Sequence, residues 1–75
     1  MAEQIETLVA EVLQVPVASI TDDLAMTETD AWDSLRHMEL VVSLEDTFRI
    51  ELTTDEIVAM ESVRAIKRVL RARGH

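Results

Sequence analysis

Asp33, Ser34 and Leu35 are the residues of this chain best placed to take part in chemistry. They end a polar loop and open a long apolar-periodic segment, Ser34 to Phe48. A serine at a helix start can cap the helix and still offer its hydroxyl to solvent. An aspartate beside it adds an acceptor and a negative charge at the positive end of the helix dipole. That placement suits a serine that another enzyme reaches and modifies. The plainer alternative is a serine that serves as an N-cap and nothing more. Asp33, Ser34 and His37 do not form a catalytic triad, because His37 falls at about 300° around the helix from Ser34 and faces the edge of the core. No catalytic residue is assigned. Asp22-Asp23 and Glu45-Asp46 lack the oxygen-ligand spacing of a calcium loop, so they read as solvated acids and no metal site is assigned.

These residues must be positioned by helices. Ile5, Leu8, Val9, Val12 and Leu13 follow helical spacing, so residues 3–14 read as a first amphipathic helix stopped by Pro16. A connector of about 17 residues, Val17 to Asp33, is long for a compact domain and of the kind that is usually functional or disordered. Val17, Ile20, Leu24, Met26 and Trp32 can pin it to the core. The second helix spans 34–48. A short third spans Asp55 to Met60, capped by Thr53 or Thr54. A fourth, Val63 to Ala72, is capped by Ser62, with arginines suited to its C-terminal dipole. His75 reads as a disordered terminal residue. The expected fold is all-α: a four-helix bundle with a short third helix and a long loop between helices 1 and 2, forming one domain over residues 1–75.

The second helix carries two apolar stripes. With Ser34 at zero, Leu40, Leu44, Phe48 and Val41 fall between about 240° and 340°, the core stripe. Leu35, Met38 and Val42 fall between about 40° and 100°, with Glu45 near 20°, Asp46 near 120° and Glu39 near 140°. A surface helix needs one apolar stripe. A second one rimmed with carboxylates has the character of a docking surface, unless Leu35 and Met38 merely cover the long loop.

Size and charge narrow the function. A 75-residue chain buries only about 60% of its unfolded surface, which leaves no room for a deep active site. It has no Cys, so neither a disulfide nor a thiolate metal site supports the small core. The net charge is -8, unevenly spread. Residues 1–61 hold all 15 acids and only Arg36 and Arg49 as bases, a sum of -13. Residues 62–75 hold Arg64, Lys67, Arg68, Arg71 and Arg73 and no acid, a sum of +5. The acidic body repels nucleic acid and favours basic protein partners. Met1-Ala2-Glu3-Gln4 lacks the basic start of a signal peptide, and no apolar run is long enough to cross a membrane. The expectation is a cytoplasmic monomer with no nucleic-acid or membrane partner.

Taken together, Asp33-Ser34-Leu35, Met38-Glu39-Leu40-Val41-Val42-Ser43-Leu44-Glu45-Asp46-Thr47-Phe48, Ile50-Glu51-Leu52 and the Ser62-Val63 helix start resemble the acyl carrier protein family along nearly the whole chain. The resemblance implies a non-enzymatic carrier. Ser34 would hold a covalent 4′-phosphopantetheine arm, donated by coenzyme A through a phosphopantetheinyl transferase, and the arm would carry acyl cargo as a thioester. It further implies that Asp33, Leu35, Met38, Glu39, Val42, Glu45 and Asp46 are partner-binding positions. Those partners would be the transferase and acyl-loading and acyl-processing enzymes with basic docking patches. The pathway would be fatty-acid-like or specialised, polyketide or other natural-product biosynthesis.

The chain departs from the housekeeping pattern at Trp32, at Arg36-His37 and in its basic last helix. It also lacks the Gly-Gly-(His/Asp)-Ser signature of many peptidyl carriers. These departures bear on cargo and partners rather than on attachment chemistry. The alternatives are an aminoacyl or peptidyl carrier, or a non-covalent acidic helical adaptor that needs no modification at Ser34.

Overall fold

The structure, a computed structural model, describes residues 2–75; the part of the N-terminal reading that concerns Met1 lies outside them. Four helices follow one another: α1 (Ala2–Leu13), α2 (Ser34–Phe48), α3 (Thr54–Ala59) and α4 (Val63–Ala72). Short 3-10 turns at Val17–Ser19 and Met26–Glu28 interrupt the long connection from α1 to α2. This is the all-α, four-helix arrangement with a short third helix that the periodicity predicts. The Cα radius of gyration is 11.0 Å, close to the ~11 Å of a globular chain of this length.

The helix ends have local causes. α1 stops at Leu13 because Gln14 adopts the left-handed conformation (φ 58°), which lets Val15 N donate back to Ala10 O at 3.1 Å. Pro16 then prevents resumption. α2 ends the same way: Arg49 is left-handed (φ 55°), and its N–H and that of Ile50 both reach Glu45 O. α3 starts one residue earlier than the pattern predicts. Thr53 caps it through a reciprocal box: Glu56 N donates to Thr53 Oγ1 at 3.1 Å and Thr53 N to Glu56 Oε1 at 2.9 Å.

The first turn of α4 explains how the long connection is held. Val63 N donates to Leu24 O (3.0 Å), Arg64 N to Asp22 O (3.1 Å) and Ala65 N to the Ser62 cap (3.1 Å). The amide groups that a helix start leaves without partners are thus satisfied by the connector itself. Met26 N closes the attachment on Glu61 O at 2.8 Å, beside an isolated antiparallel bridge between Ala25 and Ser62.

Core residues come from α1, α2, α4 and the connections between helices: Ile5, Val9, Leu13, Ile20, Trp32, Leu40, Leu44, Leu52, Met60, Val63, Ile66 and Leu70 are all buried, and α3 packs against them through the half-buried Ile57. Trp32, 1% exposed, is the largest of them, and burial of its side chain is worth roughly 4–6 kcal/mol of transfer free energy. Leu24 and Met26 pack against this core as expected. Val17 does not: it is 53% exposed, because its 3-10 turn lies on the surface. His75 also departs from expectation. Its N–H donates to Leu70 O (2.9 Å) and its ring meets Phe48 edge-on with centroids 5.4 Å apart, so the chain end is tied down.

Candidate functional site

Ser34 is the first residue of α2 and is exposed. The cap is not Ser34 but Asp33, whose Oδ1 accepts from Arg36 N at 2.8 Å. This division of labour matters chemically. The aspartate takes the amide that an N-cap must satisfy, and no hydrogen bond engages Ser34 Oγ among the described residues. A free hydroxyl is left at the positive end of a 15-residue helix.

Two contacts hold that end in place. Arg36 Nη1 reaches Val12 O at 2.7 Å and ties the first turn of α2 to the end of α1. One residue on, His37 is buried at 8% exposure. Its Nδ1 accepts from Trp32 Nε1 at 3.0 Å and its Nε2 lies 2.8 Å from Ile57 O. An indole N–H can only donate, so Nδ1 is the bare nitrogen and Nε2 carries the proton to the Ile57 carbonyl. One neutral imidazole therefore links the loop before Ser34, helix α2 and helix α3. The sequence places His37 at the core edge but does not reveal this network. The available signal was its angle, between those of Leu44 and Phe48, which makes a polar ring in the core stripe that must find partners.

Further along α2 the two stripes separate as the spacing predicts. Leu40 and Leu44 are fully buried and Phe48 is 9% exposed. Leu35, Met38 and Val42 are 68%, 51% and 61% exposed. With Glu39 and Ser43 the three apolar side chains line a shallow open depression. A neighbouring groove adds Glu45, Asp46, Ile50, Glu51 and Leu52 beyond Val42. Glu39 and Asp46 are exposed and form no ion pair among the described residues. Glu45 differs from them. It is half-buried, and its Oε2 accepts from Leu52 N at 2.9 Å, which anchors the α2–α3 loop. Val58 on α3 is a further exposed apolar side chain (70%) that the sequence pattern does not single out.

Asp22 and Asp23 are not simply solvated. Asp22 and Glu6 both receive Lys67 Nζ, and Asp23 pairs with Arg64 at 2.8 Å. The Lys67 hydrogen bond holds the Asp22 carboxyl below its ordinary value. Glu56 is paired with Arg73, and that hydrogen bond, aided by the Thr53 amide, brings its carboxyl down to about 2.

Fold and site define a class: a small helical protein that offers a serine hydroxyl and an acid-rimmed apolar strip on one helix. Comparison with known proteins gives that class its family. The phosphopantetheine attachment site family matches residues 3–70. The polyketide-8 synthase acyl carrier protein 2 of Streptomyces avermitilis is 35% identical over 68 residues, covering 91% of this chain and 78% of the relative. Acyl carrier protein 3 of Ralstonia nicotianae is 31% identical over 62 residues, covering 83% and 71%. The solution structure of holo acyl carrier protein from Geobacter metallireducens superposes with a TM-score of 0.76 at 26% identity, covering 99% of this chain and 91% of that one.

The chain belongs to the phosphopantetheine attachment family and, within it, to the acyl carrier proteins. It is accordingly a carrier and not an enzyme, and its cofactor is a covalent 4′-phosphopantetheine. Carriers of this kind work with a phosphopantetheinyl transferase and with biosynthetic enzymes. No helix of the described chain is long and apolar enough to cross a membrane.

Proposed function

We propose that Ser34 is the attachment residue and that this protein carries acyl intermediates of fatty-acid-like or polyketide biosynthesis between enzymes that dock on α2. The observation that carries this is the free, exposed hydroxyl at the head of α2, beside an aspartate already committed to capping. The other three serines fit less well. Ser62 Oγ is spent on Ala65 N, Ser43 is half-buried within α2, and Ser19 ends a three-residue 3-10 turn and does not open a long helix.

The residues fit the group. Ser34 Oγ attacks the phosphorus of coenzyme A that bears the pantetheine. A phosphodiester bond forms, the bond to the adenosine bisphosphate portion breaks, and the transferase takes up the hydroxyl proton. The start of α2 favours the resulting negative charge. When bound, the group supplies a terminal thiol that holds the cargo as a thioester. This chain's own contribution is positional. The Arg36 and His37 contacts fix the start of α2, while Leu35, Met38 and Val42 give partners an apolar strip. Glu39 and Asp46 steer basic enzyme surfaces toward that strip. Asp33 contacts the transferase beside Ser34, and Glu45 contributes its outward oxygen to the rim. A shallow strip with charge on its edge suits fast association and release, as a shuttle needs.

We read residues 1–75 as one carrier domain acting as a monomer in the cytoplasm. The polyketide assignment is supported by the relative's name. Transfer from coenzyme A by a broad-specificity transferase, followed by peptide mapping, tests the site. The group is expected on the peptide that contains Ser34. Its appearance at Ser19, Ser43 or Ser62 would refute the assignment.

A further inference from the structure

The five bases of the last helix region divide into two sets. Lys67 is consumed by Glu6 (2.7 Å) and Asp22, and Arg73 by Glu56 together with Glu51 O (2.6 Å). The Lys67 side chain is largely covered at 15% exposure; Arg73 is more open but is held by both of its partners. Arg64, Arg68 and Arg71 are all exposed. Their spacing of four and then three residues sets them within about 60° of one another on one face of α4, over a rise of about 10 Å. Arg68 and Arg71 form no ion pair among the described residues. Arg64 meets Asp23, but the two side chains are 56% and 82% exposed, and an ion pair so open holds little energy. The three line a groove together with Lys67 and Asp22.

We infer that the Arg64–Arg68–Arg71 stripe of α4 is a second docking surface, for a partner protein that presents a carboxylate-rich helix. This goes beyond the proposed use of α2 and does not depend on modification at Ser34. Charge complementarity argues for it. Residues 1–61 carry -13, yet three exposed guanidinium groups, two without an ion pair among the described residues and one in an open pair, are gathered on one face. Planar guanidinium forks bind carboxylates in two-point geometry, and a helix with acids at i, i+4 and i+7 matches their spacing.

Polyanions fit less well. A duplex or an anionic bilayer spreads its charge far beyond this ~10 Å stripe and so also meets the -13 body within the roughly 8 Å Debye length of physiological salt, whereas the acids of a single helix face can be confined to the stripe. The apolar face of α4, with Val63, Ile66 and Leu70, is fully buried and has nothing to insert into a bilayer.

The test is a nitrogen-15 NMR titration of the full chain carrying its arm, with the Ser34→Ala chain in parallel. The probes are a designed helical peptide with Glu at i, i+4 and i+7, its Gln counterpart, phosphatidylglycerol vesicles, and dilution of the protein itself. The Glu peptide is expected to shift amides of Val63–Ala72 equally in both chains. The Arg68→Glu/Arg71→Glu variant, its fold checked by circular dichroism, should bind the peptide roughly tenfold more weakly, and added salt should weaken the wild type. Equal binding of the Gln peptide, shifts confined to other helices, or unchanged affinity of the variant would overturn the inference. Vesicle binding that saturates α4 would replace the partner with a lipid surface. α4 shifts on dilution alone would replace it with a second copy of this chain. If Ser34 proves unmodified while α4 still binds, the attachment proposal fails and this one stands.

Discussion

Trp32 and His37 face one another across the junction between the long connection and α2, with the indole Nε1–H donating to the imidazole Nδ1 at 3.0 Å. The ring's other nitrogen bonds Ile57 O on α3. The tautomer is thereby dictated, and three segments near Ser34 share one polar joint. In His37→Ala the buried Trp32 Nε1–H would lose its acceptor, while Ile57 O would keep its 3.4 Å bond from Met60 N, so a loss of about 1–3 kcal/mol is expected. Urea unfolding measures it. Long-range nitrogen-15 spectra of the wild type should show a neutral ring protonated at Nε2. A ring protonated at Nδ1 would contradict the joint.

Acid should weaken the α3–α4 tie in a defined window. Arg73 brings the Glu56 carboxyl from its ordinary 4.5 to about 2. A carboxylate depressed in the folded state adds stability above its unfolded value, and that stability drains away as pH falls through the folded value. Glu56→Gln should therefore flatten the acid limb of stability between about pH 4.5 and 2. The Lys67 bond depresses Asp22 in the same sense, so some acid sensitivity should survive. Urea midpoints at stepped pH supply the test. Parallel acid limbs in wild type and variant would show that the ion pair is not maintained in solution.

The rim of α2 divides into steering and structural acids. Glu39→Lys with Asp46→Lys should slow loading by partner enzymes by roughly tenfold at low salt, and less at high salt, with little change in stability. Glu45→Ala should instead cost about 1–2 kcal/mol, because Leu52 N loses its acceptor. Loading rates at two salt concentrations, set beside urea midpoints, separate the two effects. Equal loading by wild type and double variant would place recognition elsewhere.

Much of this was legible in the sequence because helical periodicity and caps are local. The bounds of α2 and α4 and the Thr53 and Ser62 caps follow from residues within one turn. So does the split between exposed Leu35, Met38 and Val42 and buried Leu40 and Leu44. Contacts between distant segments were not legible. Nothing near Val63 or Arg64 in sequence announces that Leu24 and Asp22 carbonyls complete their helix start. The roles of Ser34 and Asp33 at the cap were also open, since both side chains favour that position and only backbone geometry chooses. His75 looked like a loose end until the fold brought Phe48 to it.

Arg49 holds a left-handed backbone at φ 55° where α2 ends. That conformation costs a side-chain-bearing residue about 1–2 kcal/mol, against about 0.5–1 kcal/mol for the extra unfolded-state freedom of glycine. Arg49→Gly is expected to raise stability by up to about 1 kcal/mol. A lower urea midpoint would mean that the arginine side chain contributes more than its backbone costs.

The central claim is that Ser34 accepts the phosphopantetheine group. Its most direct test is the intact mass of the protein after incubation with coenzyme A, magnesium and a broad-specificity phosphopantetheinyl transferase. Wild type should gain the mass of one phosphopantetheinyl group, and Ser34→Ala, folded to the same extent by circular dichroism, should gain nothing. No gain by the wild type, or an equal gain by Ser34→Ala, would contradict the account.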